Sequence, residues 1–273
     1  MKYLRRYNES VDNIHELCKE YGITNYTVNQ DGSIDVNGDV DISNRELKSI
    51  PIKFRKVGGS FYCIKNQLTS LEGAPEYVGG SFYCINNQLT SLEGAPEYVG
   101  GSFNCNDNQL RSLEGSPQSV GGHFNCSRNQ LTSLEGAPVS VGGDFYCRDN
   151  QLTSLEGSPQ SVGGDFNCND NQLTTLEGAP QSVGGYFYCS RNQLTSLEGA
   201  PQSVGGCFYC FNNPIQTIWD LFKDYSKIEL FLDMDIMHQV DDGRPAVILD
   251  RLNEFLEMIG RKPVKSVNGY INI

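Results

Sequence analysis

Ten cysteines are the residues of this chain best suited to chemistry, as metal ligands, disulfide partners or nucleophiles. Their spacing points away from the first two roles. Eight of them, Cys63, Cys84, Cys105, Cys126, Cys147, Cys168, Cys189 and Cys210, follow one another at a constant interval of 21 residues. Stacked one strand apart, they form a line of thiols and not the four-sided cage that zinc needs. Neighbouring Cβ atoms would lie near the parallel-strand spacing of ~4.8 Å, longer than the ~3.8 Å typical of a disulfide. The column reads as packing, since a buried Cys behaves as a small hydrophobe. Cys18 and Cys207 stand outside the series. Cys207 precedes Phe208 and is expected to point out of its sheet as a surface thiol.

Other chemistry is equally thin. Glu72, Glu93, Glu114, Glu135, Glu156, Glu177 and Glu198 form a second column with the same interval. It reads as a solvated acidic edge, because the Asp-x-Asp oxygen sets of a calcium cage are missing. The three histidines, His15, His123 and His238, lie in different segments, and no nucleophile, metal-ligand or phosphate-loop motif accompanies them. The expectation is a protein without catalysis, cofactor or metal.

The elements that carry these residues follow from one repeat. Val78–Pro96 contains Phe82, Cys84, Asn87, Leu89 and Leu92, a Phe-x-Cys-x-x-Asn-x-Leu-x-x-Leu pattern. Phe82 and Cys84 share one side of a strand, while the spacing from Leu89 to Leu92 fits a chain that has turned. The Asn recurs from Asn66 to Asn213, and a column of Asn can bond backbone groups of successive turns. Val40, Ile42, Leu47 and Ile50 extend the series backwards, with Arg45 in the Asn position, giving nine turns. At ~4.8 Å per turn the array is roughly 40 Å long.

This pattern resembles the leucine-rich-repeat consensus, and its Asn-Gln-Leu-Thr-Ser-Leu wording resembles the short bacterial subclass. Gly-Gly before the strand and Gly-Ala-Pro after the Leu also resemble uncharacterised repeat proteins of tailed bacteriophages. The resemblance implies a solenoid with a parallel β-sheet on its concave face and an extended, polyproline-like convex side. Gly and Pro in the return segment suit that, since both break helices.

A solenoid needs its ends closed. Residues 1–37 read as an N-terminal cap, with a helix over Val11–Tyr21 and a hairpin through Asp31-Gly32. Residues 38–218 form the array. Residues 219–273 read as a mainly helical C-terminal cap, with helices expected over Ile218–Met237 and Pro245–Ile259 and a strand in Val264–Ile273.

The net charge of −12, with 5 Lys/Arg against 14 Asp/Glu in Val57–Asn213, argues against nucleic-acid and anionic-membrane partners. No apolar run is long enough to span a bilayer or act as a secretory signal, so a cytosolic location is expected.

What varies along the frame lies beside the Phe and Cys. The position before the Phe includes His123, Asp144 and Asp165, and the position between Phe and Cys alternates between Tyr and Asn. The latter comprises Tyr62, Tyr83, Asn104, Asn125, Tyr146, Asn167, Tyr188 and Tyr209. Arg148, and then Arg128, Asp149 and Arg191, occupy the next two columns. A Tyr-rich, charge-patterned concave face fits a protein partner, which in a phage setting would be a host protein, including one of host defence. The rival is a sponge for a small molecule or nucleotide held by Arg128, Arg148, Arg191 and His123, each of which has an acidic neighbour. Oligomeric state is not encoded in any pattern.

Overall fold

A computed structural model describes residues 2–240 and 244–273. Each turn of the array contributes one two-residue strand at the Phe position, from Val40–Asp41 and Phe61–Tyr62 to Phe208–Tyr209. These form a nine-stranded parallel sheet in which Phe pairs with Phe at every step from Phe61 to Phe208. Inside, the Phe rings stack with centroids 5.3–5.5 Å apart, and the Cys and Leu columns beside them are almost wholly buried. Burying one such Phe is worth about 1.5–3 kcal/mol. The chain is a leucine-rich-repeat solenoid.

The return side is extended, as the Gly and Pro content implies. It also carries a second parallel ladder built from dipeptides such as Tyr77–Val78, Ser119–Val120 and Ser161–Val162. Equal turn lengths bring the same carbonyl and amide into register at each step, so backbone pairing arises from the stacking itself. Two residues of Ser–Val could not announce a strand on their own.

The Asn column does the work expected of it. Asn87 Nδ2 donates to the carbonyls of Cys63 and Cys84, and its Oδ1 accepts from the amide of Leu68. Neighbouring turns are thereby tied at a buried point where unpaired groups would be costly. Arg45 has no earlier turn to bond; its guanidinium instead lies over the Tyr21 ring at 5.0 Å. From Gly79 onward the first Gly of each Gly-Gly pair is equally constrained: a Cβ on Gly142 would collide with the carbonyl of Gly121.

At the N-terminus, α1 (Lys2–Glu20) begins well before the expected Val11, since Leu4, Arg5, Arg6 and Glu9 are good helix formers. It ends at Gly22 in the left-handed region (φ 68°), with the Ile23 amide returning to the Cys18 carbonyl. The hairpin Tyr26–Val28/Ile34–Val36 follows, and its second strand pairs in parallel with Phe54–Val57 to start the second ladder.

Beyond the array come α2 (Gln216–Phe222), a single 3₁₀ turn at Tyr225–Lys227, α3 (Ile228–Asp233) and α4 (Leu249–Met258). The region is mainly helical, with two departures from the expected bounds. The first helix does not run on to Met237, because Lys223 takes a left-handed conformation (φ 50°) and closes α2; Met237 starts a strand. Pro245 is not a helix start but the first residue of strand Pro245–Val247, which lies between Met237–Gln239 and Ile271–Asn272. Ala246 and Val247 are fully buried there, and a Pro at a strand's first residue forfeits little pairing. Trp219 meets the last ring of the Phe stack, Phe208, at 5.1 Å and so covers the open end.

Candidate functional site

The outward face of the Phe strands brings the variable columns together, and each column proves to have its own backbone task. In the column before the Phe, every side chain from Asp39 to Asp165 accepts a hydrogen bond from the same position one turn later. Ser60 N donates to Asp39, His123 N to Ser102, Asp144 N to His123 Nδ1, Asp165 N to Asp144 and Tyr186 N to Asp165, at 2.7–3.0 Å. Only short side chains with an acceptor can do this, and Ser, His and Asp are what the column contains. The second Gly of each pair makes room: a Cβ on Gly80 would lie 2.5 Å from Ser60 Oγ, and one on Gly143 2.7 Å from His123 Nδ1. The choice of residue at 123, 144 and 165 is thus governed in large part by the relay.

The Tyr/Asn alternation has a similar basis. Asn104, Asn125 and Asn167 each accept from the amide two residues on, at 3.0–3.1 Å. Where Tyr62, Tyr188 and Tyr209 replace them, that amide is met by Ser43, Asn169 or Ser190 of the preceding turn. The Asn members of the candidate set are therefore occupied, while the Tyr members are half-buried rings, most of them packed on one another. Tyr62 stacks on Tyr83 at 5.3 Å, and Tyr188 on Tyr209 at 5.1 Å.

The outermost column, Lys65 to Asn212, is left-handed throughout, with φ of 53–57°. Asn and Asp tolerate that region better than other residues, which accounts for Asp107, Asp149 and Asp170. Arg128 and Arg191 go against the preference. Arg128 lies 3.6 Å from Asp107 and 3.8 Å from Asp149, Arg148 is 3.8 Å from Asp149, and Arg191 is 3.4 Å from Asp170. These pairs are exposed and contribute at most about 1 kcal/mol each. Every Arg that could hold an anion already faces a carboxylate, which weighs against the sponge.

Of the candidates, His123, Asp144, Tyr146, Arg128, Arg148 and Asp149 gather at mid-face. Tyr146 Oη donates to Asp144 Oδ2 at 2.6 Å, and the same carboxylate is 3.0 Å from His123 Nδ1. Burial first, and the Asp144 carboxylate second, push the Tyr146 phenol well above its ordinary range. His123 Nδ1 also meets the Asp144 amide at 2.9 Å, as the relay requires.

The candidate set omits two residues that the structure brings forward. Tyr186 and Phe211 are 41% and 47% exposed and close around Tyr188 and Tyr209, with ring centroids 5.8–6.1 Å apart. The signal lay in the columns, where large rings replace Ser and Asp only in the last turns. Cys207, exposed as expected, sits beside Tyr209, and that contact is the main cause raising the Tyr209 phenol. The other nine cysteines are buried; in the column, Cys63 to Cys189 turn their thiols to carbonyls of the next turn at 3.3–3.6 Å.

No protein-family model and no curated protein matches the chain. Among solved structures it is similar to the leucine-rich effector protein YopM of Yersinia pestis, with 20% identity and a TM-score of 0.45 over 64% of this chain and 55% of that one. It is also similar to YopM of Yersinia enterocolitica, with 16% identity and a TM-score of 0.30 over 64% of each chain. This chain spans less than two thirds of the length of either. Among the described residues, no helix is long and apolar enough to cross a membrane.

Proposed function

We propose that the chain is a non-catalytic scaffold that binds a protein partner across the outward face of its Phe strands. The observation that carries this reading is the cluster of Tyr186, Tyr188, Tyr209 and Phe211 at one end of that face. Exposed aromatic rings, rigid and low in entropy cost, are the residues that most often anchor a protein interface. The paired charges around Arg128, Arg148 and Asp149 would then set orientation more than affinity. The partner fits a host protein, including one of host defence, if the repeat wording reflects a phage origin, and the complex would form in the host cytosol.

The test is affinity capture with the whole chain and two variants, Tyr209→Ala/Phe211→Ala and Tyr146→Ala/Arg148→Ala/Asp149→Ala. A protein retained by the wild type, lost by the first variant and weakened by the second supports the reading. A partner retained equally by all three proteins places binding elsewhere and overturns it.

A further inference from the structure

The second ladder carries an aromatic stack that stops short. Position by position along it run Lys56, Tyr77, Tyr98, Ser119, Ser140 and Ser161. The Lys56 ammonium lies 5.0 Å from the Tyr77 ring centre, covering one end of the stack. Tyr77 and Tyr98 are nearly parallel (8°), with centroids 4.8 Å apart. One turn further the ring is replaced by Ser119, so the far face of Tyr98 has no partner, and the residue is 46% exposed. The Tyr98 ring lies against the backbone at Gly100, where a Cβ would be in ordinary contact with Tyr98 Cε1 at 3.6 Å. A hollow of about 330 Å³ opens at this point, lined by Tyr98, Ser119, Gly121, Ser140 and Ser161 among others.

The composition of this ledge changes where the stack stops. The Tyr77 and Tyr98 turns read Pro-Glu-Tyr-Val-Gly-Gly, and the next five, from Pro117–Gly122 to Pro201–Gly206, contain no charged residue. They present Ser hydroxyls and, beside them, Gln118 and Gln160. The hydroxyls of Ser119, Ser140 and Ser161 make no hydrogen bond among the described residues. On a chain of net charge −12, an uncharged strip of free hydroxyls and amides beside an open ring face is a distinct surface.

We propose that this hollow binds a neutral sugar, with one pyranose ring stacked on the open face of Tyr98 in the place a third Tyr would take. The apolar face of the sugar covers the phenol ring, while its edge hydroxyls meet Ser119, Ser140 and Ser161. Anionic ligands are disfavoured by Glu76 and Glu97 next to the stack. An aromatic side chain would cover Tyr98 equally well but would leave the hydroxyls unused. Only a polyhydroxylated ring uses both.

The experiment is saturation-transfer NMR on the full chain with three neutral probes: cellohexaose, maltohexaose and chitohexaose. The variants are Tyr98→Ala, which removes the platform, and Ser119→Tyr, which extends the stack and fills the hollow. Position 119 is the structural equivalent of Tyr98, so Ser119→Tyr keeps the fold, and a thermal melt checks both. Transfer to the ring protons of at least one probe is expected, with affinity falling about tenfold in each variant, the size of one good ring contact. The Tyr146/Arg148/Asp149 variant should bind the sugar normally, which separates this site from the strand-face reading. Absence of transfer from all three probes overturns the proposal, as does transfer that both ring variants leave unchanged. A protein captured by the wild type and released by Ser119→Tyr, with no sugar bound, would also overturn it.

Discussion

Asn129 accepts the backbone amide of Leu110 from the turn before it, at 2.9 Å, through a side chain that is itself buried. Its Nδ2 also donates to the carbonyls of Cys105, Cys126 and Ser127 at 3.0–3.2 Å. One side chain therefore satisfies backbone groups on two turns. Asn129→Ala would strand them out of water, and a loss of about 3 kcal/mol is expected. Urea unfolding followed by circular dichroism measures it; a loss below a few tenths would show that water replaces the amide freely.

The relay along the column before the Phe predicts a different pattern of tolerance. Asp165→Ala removes the acceptor for the Tyr186 amide and should cost about 1 kcal/mol. Asp165→Asn keeps an acceptor oxygen and should restore most of that stability despite removing a charge. Equal losses in the two variants would mean that the carboxylate charge matters and the acceptor does not.

Gly142 admits no side chain where the Gly121 carbonyl approaches. Gly142→Ala should destabilise the array by about 2 kcal/mol or more, in the range of forced overpacking. Comparing its thermal midpoint with that of Ser140→Ala, an exposed neighbour, isolates the effect. Indistinguishable midpoints would show that the turns can separate at small cost.

The buried thiols make stability depend on alkaline pH. Burial raises each column thiol above its ordinary value, to about 12 for Cys210. The folded chain thus holds protons that the unfolded chain releases once pH passes the free-thiol value of ~8.5. Stability from the column is complete below that pH and should decline steadily as pH rises from about 9 toward 12. At pH 8 an alkylating reagent should modify Cys207 alone among the ten cysteines, and the rest only after unfolding. Peptide mapping by mass spectrometry reads this directly, and rapid labelling of Cys126 in the folded protein would contradict it.

How much of this was visible beforehand depends on how often a signal repeats. The Phe, Cys, Asn and Leu columns are each seen many times at one interval, so their side of the strand could be assigned from Phe82 and Cys84 alone. Single-copy segments gave no such help: Pro245 looks like a helix start until Ala246 and Val247 are seen buried between two strands. The Ser–Val ladder escaped for another reason, since its pairing comes from stacking and not from residue preference. On the strand face, variation at His123, Asp144 and Asp165 suggests partner choice, whereas the shared trait is the ability to accept one hydrogen bond. The exposed rings at Tyr186 and Phe211 were legible in the columns but isolated in sequence.

Because every turn bonds to its neighbours through identical groups at an interval of 21 residues, a copied turn spliced between two others would meet the same partners on both sides. Unequal recombination in the coding sequence can therefore lengthen or shorten the solenoid by whole turns without disturbing either terminus. Such an event would also change the distance between the Tyr62 and Tyr209 ends of the face, by ~4.8 Å for each turn gained or lost. Reach across a partner becomes a trait that one genetic step can adjust, ahead of any change in an individual contact.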